Sequence, residues 1–147
     1  MGESNAVADK QEILEVLYRY SIVIDADELE RLDSVFTPDA VWELKYGEGA
    51  RVDGVDAIRD ILTGFHEKLD ATQHLVANAV IDVSGDEARS RSDVRVMLFS
   101  AAQPPGERRY EAGAVYTDNF QRTTAGWRMS KRCIDVRWTD GNSSLSS

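Results

Sequence analysis

From residue 73 to residue 138 the sequence is strand-like almost without interruption, in long runs separated by compact turn signals. ARSRSDVRVMLF shows this most plainly: Ser90, Ser92, Val94, Val96 and Leu98 share one side, opposite Arg89, Arg91, Asp93 and Arg95. Side chains alternate across a strand, so such a run demands a sheet with one covered face and one wet face. SGDE, QPPGE and TTAG divide the region into QHLVANAVIDV, ARSRSDVRVMLF, RRYEAGAVYTDNFQR and GWRMSKRCIDVRW, an antiparallel succession.

The cover has to come from the first half of the chain. In residues 8–24, Ile13, Leu14, Leu17, Tyr20 and Ile24 recur near one helical face. A second, shorter helix is expected over 27–36, carrying Leu29, Leu32 and Phe36 and capped by Asp27. TPDA reads as a stop, AVWELKY as a strand and YGEGARV as its turn and return. VDAIRDILTGFHEKL then predicts a third helix that buries Ile58, Ile61, Leu62, Phe65 and Leu69. This order gives an α+β fold whose curved antiparallel sheet wraps the helices as a cone with a mouth. Residues 8–140 are expected to form the single domain, with a flexible N-terminus at 1–7 and a flexible tail at 141–147.

A net charge of −9 sets the surface against a nucleic-acid backbone, and the short basic strings RRY and MSKR have acidic neighbours. Cys133 is the only cysteine, which excludes an intrachain disulfide and any four-cysteine zinc site. No apolar segment approaches the roughly 20 residues needed to cross a bilayer, and the first residues lack a signal-like core, so a cytoplasmic protein with no membrane partner is expected. No metal-ligand spacing, phosphate loop or dinucleotide fingerprint occurs, so neither cofactor nor metal is expected.

Three strings carry a family likeness: YRYSIVIDADELERLDSVFTPDAVW at 18–42, TQHLVANAVIDVSGDEARSRS at 72–92, and GWRMSKR at 126–132. They resemble the SnoaL-like family of the cone-shaped, nuclear transport factor 2-like superfamily, over nearly the whole chain. That superfamily includes scytalone dehydratase, bile-acid dehydratases, hexachlorocyclohexane dehydrochlorinase, ketosteroid isomerase and non-enzymatic subunits. The resemblance implies that Asp25 matches an aspartate at the end of the first helix and His74 a histidine on the following long strand. Trp42 and Arg132 resemble the dehydrochlorinase's pocket tryptophan and arginine. Tyr20 departs from that enzyme's lysine and stands five residues before Asp25, as a tyrosine does in bile-acid dehydratases. Where those dehydratases place an aspartate on the next strand, this chain offers only Ser92, Val94, Val96 and Leu98. A homodimer or homotrimer is implied by the same resemblance.

A fixed neutral imidazole can remove a proton from carbon near pH 7, and a carboxylate at its other nitrogen sets the tautomer. The catalytic candidates are therefore His74 as base, Asp25 as its orienting partner, Tyr20 as a donor, and Arg132 to steady negative charge or hold an anionic leaving group. Trp42, Phe65, Val94, Val96 and Leu98 suggest a small apolar or cyclic substrate. Asn78 joins them by strand parity if no bulge intervenes. His66, beside a charge run late in its helix, reads as surface or helix-end electrostatics. The favoured function is a cofactor-independent lyase of dehydratase or dehydrohalogenase type. The alternatives are an isomerase or cyclase using the same base, or a non-catalytic binding or assembly module such as a dioxygenase small subunit.

Overall fold

The computed structural model describes residues 3–147. Helix α1 spans Glu3–Asp25 and is followed by a short 3-10 turn over Leu29–Ser34. Strands β1 (Phe36–Lys45) and β2 (Ala50–Asp53) form a hairpin, and helix α2 covers Val55–His66. Four long strands complete the chain: β3 (Ala71–Ser84), β4 (Glu87–Phe99), β5 (Arg109–Thr123) and β6 (Gly126–Gly141). They build one curved, unclosed six-stranded sheet in the order β2-β1-β6-β5-β4-β3. Every pairing is antiparallel except β1 with β6, which is parallel. The expected α+β cone is the observed fold.

The alternation in β4 works as the sequence demands. Ala88, Ser90, Ser92 and Val94 are buried while Arg89, Arg91 and Arg95 are exposed. Ile13, Val16, Leu17, Tyr20, Val23 and Ile24 supply the helical half of the core, which they share with Phe36, Trp42, Tyr116, Phe120 and Met129 from the sheet. Burying each large apolar side chain contributes about 1.5–3 kcal/mol relative to exposure. Near the N-terminal half of α1, Arg122 grips Asp9 through two hydrogen bonds of 2.8 and 2.9 Å and lies 4.6 Å above the Trp127 ring. Trp127, fully buried, donates its indole N–H to the same aspartate at 3.0 Å.

Several local expectations are corrected. The second helix is only the 3-10 turn, and Asp27 does not cap it: Asp27 takes a left-handed conformation (φ 55°), and no side-chain cap bond forms at Glu28. TPDA is no stop but part of β1, because Pro38 sits where the β1–β6 register breaks between Phe36 and Val41 and no ladder bond is required of it. Residues 3–7, expected to be flexible, belong to α1, whereas Met1 and Gly2 lie outside the described residues.

The C-terminal segment also folds. Gly141 (φ 92°) passes so close to Arg109 that a Cβ would lie 2.4 Å from its carbonyl oxygen, a place only glycine can occupy. Asn142 then caps a 3-10 turn over Ser143–Ser146 by accepting from Ser144 N at 3.1 Å. Leu145 is buried against Tyr110, Ala112, Leu69, Leu98 and Val136. Among the described residues, no helix is long and apolar enough to cross a membrane.

Candidate active site

The open end of the cone holds a cavity of about 170 Å³. Of the residues expected there, Tyr20, Trp42, Phe65, His74, Val96 and Leu98 line it. Leu44, Leu62, Leu69, Ile134 and Val136 extend its apolar wall, which Tyr46, Tyr110 and Tyr116 complete.

His74 stands on β3, opposite Val96 of β4, and its ring faces the cavity. Asp25, the last residue of α1, lies behind it. Its carboxylate receives three hydrogen bonds from β3: His74 Nδ1–H at 2.7 Å, the His74 backbone N–H at 2.8 Å and Thr72 Oγ1–H at 2.9 Å. A carboxylate so fully engaged cannot swing away, and hydrogen bonds to a charged group contribute about 1.5–3 kcal/mol each. Donation from Nδ1 leaves Nε2 as the imidazole's lone-pair nitrogen. The His74 side chain is 11% exposed and that of Asp25 24%, so the pair is sheltered yet reachable. Asp25 reaches this position as the helix's terminal residue, and Tyr20 meets the same ring edge-on, with centroids 6.3 Å apart.

Tyr20 belongs to a second group. Its oxygen accepts the Trp42 indole N–H at 3.3 Å, which leaves its own hydrogen available to a ligand. Burial pushes the phenols of Tyr20 and Tyr116 above the ordinary tyrosine range, although Arg132 pulls the other way on both. Both therefore remain neutral donors. The folded state holds these protons where the unfolded chain, titrating near the ordinary tyrosine value of about 10, has begun to lose them. Stability is thus retained below pH about 10 and falls as pH rises above it. Absorbance titration of tyrosinate should show the two buried phenols ionising only together with unfolding.

Arg132 is not where the sequence reading put it. It is completely buried and held by Asp118 through two hydrogen bonds of 2.8 Å each, with its guanidinium 3.6 Å from the Tyr116 ring centroid and 4.2 Å from that of Tyr20. It supports the wall from behind two aromatic rings and is absent from the cavity lining. Asn78 is also displaced. A bulge between Ala77 and Val80 puts it in a left-handed conformation (φ 55°) and sends its amide outward to Asp93 at 2.9 Å. Val94 pairs with Val76, one cross-strand step past the His74–Val96 pair, and packs into the closed core.

His66, expected at the surface or in helix-end electrostatics, lines the cavity, with both ring nitrogens at backbone carbonyl oxygens. Thr72 was not foreseen either, although its place two residues before His74 on one strand face was the available signal.

The SnoaL-like domain model matches residues 5–133. An uncharacterized Mycobacterium tuberculosis protein is 33% identical over 129 residues, covering 86% of this chain and 84% of that protein. Among solved structures, a Kribbella flavida protein superposes with a TM-score of 0.89 at 22% identity, covering 96% of this chain and 98% of that one. A Novosphingobium aromaticivorans protein named for scytalone dehydratase gives 0.81 at 26% identity, covering 95% and 91%. A Novosphingobium barchaimii hexachlorocyclohexane dehydrochlorinase gives 0.81 at 21%, covering 95% and 93%. By sequence and by fold, this chain belongs to the SnoaL-like domain family.

Proposed function

We propose that this protein is a lyase that needs no cofactor and removes water from a small, uncharged, cyclic hydroxy-carbonyl compound. The observation that carries the reading is the His74–Asp25 contact of 2.7 Å at the wall of an apolar cavity. His74 Nε2 takes a proton from the carbon next to a carbonyl, and the C–H electrons become the new double bond as the C–O bond on the neighbouring carbon breaks. Asp25 stabilises the imidazolium formed in that step. Tyr20 donates a hydrogen bond to the departing or developing oxygen. Its raised affinity for its own proton keeps it from delivering that proton outright, so the imidazolium supplies it. The proton lost from carbon leaves in water, and His74 returns to its neutral state.

Two further observations favour water over halide as the leaving group. Arg132 is already neutralised by Asp118, and no lysine or arginine occurs among the lining residues, so a departing anion would meet no fixed positive charge. The structures named for scytalone dehydratase and for the dehydrochlorinase agree with lyase chemistry in general. A non-catalytic pocket gives no reason for a carboxylate to fix the tautomer of a cavity histidine, and the geometry weighs against that alternative.

The test is incubation with 3-hydroxycyclohexanone and its alkyl homologues, following enone formation. Tyr20→Phe is expected to lower the rate by roughly 100-fold. It should also lower stability by about 1 kcal/mol, since the Trp42 N–H loses its acceptor. Rearranged products with no loss of water would replace the lyase reading with an isomerase.

A further inference from the structure

The two helices that flank the cavity end close together, and His66 joins their ends. Its Nε2 lies 2.7 Å from the carbonyl oxygen of Ile24 in the last turn of α1. Its Nδ1 lies 3.0 Å from the carbonyl oxygen of Leu62, one turn back on α2. Carbonyl oxygens only accept, so the ring serves here as a donor. The last turn of α1 contains no basic residue of its own; its carbonyls at Ile22, Val23 and Ile24 accept the backbone N–H groups of Ala26, Glu28 and Asp27 and carry the negative end of the helix dipole. His66 is thus a donor supplied from a different element, 42 positions further along the chain.

Ile24 immediately precedes Asp25. At two consecutive residues α1 is therefore tied to two different elements: through Ile24 O to α2, and through the Asp25 carboxylate to Thr72 and His74 on β3. Just beyond, the chain turns sharply, with Asp27 left-handed and its N–H also bonded to Ile24 O at 3.0 Å. Helix ends fray unless they are held, and here the last residue must present both carboxylate oxygens to one strand.

We propose that His66 is the positioning residue of the His74–Asp25 pair. By holding Ile24 it fixes the end of α1, and so keeps the Asp25 carboxylate in register with β3. Its effect on turnover rests on the lyase reading above, whereas its effect on the pair does not.

The chain has only two histidines, so any His66 variant leaves the His74 ring as the sole imidazole signal in a ¹⁵N-histidine NMR spectrum. The readout is exchange with water of the His74 Nδ1 proton, with Asp25→Asn as the reference for a disrupted pair. His66→Phe removes the donor and should speed this exchange by about tenfold through local opening. kcat for 3-hydroxycyclohexanone should fall by about 10- to 100-fold, as misplacement of a catalytic group does. His66→Gln places an amide N–H near the position of Nε2 and should restore both. His66→Leu replaces the phenylalanine variant should that one not fold. Unchanged exchange in His66→Phe, or equally fast exchange in His66→Gln, overturns the proposal and leaves His66 a packing residue. Faster exchange in a protein that turns over no hydroxyketone, wild type included, would remove the lyase reading and leave the positioning role in place.

Discussion

His74→Ala is expected to reduce dehydration by roughly 100- to 10,000-fold, the range that a positioned general base contributes. The loss should fall on kcat, because the apolar walls of Val96, Leu98, Phe65 and Trp42, where the proposed substrate would sit, are untouched. The fold should survive, because Asp25 keeps its bonds from Thr72 and from the backbone N–H at position 74. Asp25→Asn should cost nearly as much activity for a different reason. If the amide oxygen accepts from Nδ1–H, the amide nitrogen must face the His74 backbone N–H, donor against donor. The imidazolium also loses its counter-charge. Rates of the two variants, with folding checked by circular dichroism, separate loss of the base from loss of its orientation.

The largest expected effect on stability is at the buried Arg132–Asp118 pair. Arg132→Ala leaves a fully buried carboxylate without its partner, which costs about 3–5 kcal/mol. It also removes the guanidinium that packs against the Tyr20 and Tyr116 rings. Burial already pushes the Asp118 carboxyl up, with Arg132 acting against that shift, so without the arginine Asp118 should take up its proton at higher pH than in the wild type. Urea denaturation should show the loss shrinking as pH is lowered and Asp118 becomes neutral. Replacing both residues by leucine should recover much of the stability, because an apolar pair of similar size leaves no unpaired charge. A full loss in the double variant would mean that the pair fixes the register of β5 and β6.

Much of the fold was legible because periodicity is local. The alternation of β4 and the apolar face of α1 each arise within one element and need no knowledge of the rest. The errors occurred where pairing between elements decides the outcome. Asn78 shares formal parity with His74, but the bulge between Ala77 and Val80 resets it. Met129 and Arg132 are both buried although three residues apart on one strand, because the β5–β6 register shifts at Asn119/Phe120. No count of alternating residues crosses such a break correctly, and the partner that neutralises Arg132 lies on the neighbouring strand. Pro38 was misread for a similar reason: whether its missing N–H matters depends on the strand beside it.

The site shows the same division. His74 was identifiable as a histidine set in an apolar strand, and Asp25 as an acid at a helix end. Their contact was implied only by family resemblance. His66 showed only a place late in its helix, and its contact with the end of α1 gave no sign, because its partners are backbone carbonyls and no side-chain pattern marks a carbonyl. Leu145 lay in a serine-rich terminus that reads as loose, yet the Gly141 turn brings it onto a small apolar patch beside the cavity.

The most direct measurement is hydrogen–deuterium exchange at carbon, with alkylcyclohexanones as probes because they offer the acidic C–H but no leaving group. In D2O, wild-type protein should exchange hydrogens next to the carbonyl well above the buffer rate, and His74→Ala should fall to that rate. Equal exchange by the two proteins would contradict the assignment of His74 as the base, whatever products the protein is later found to make.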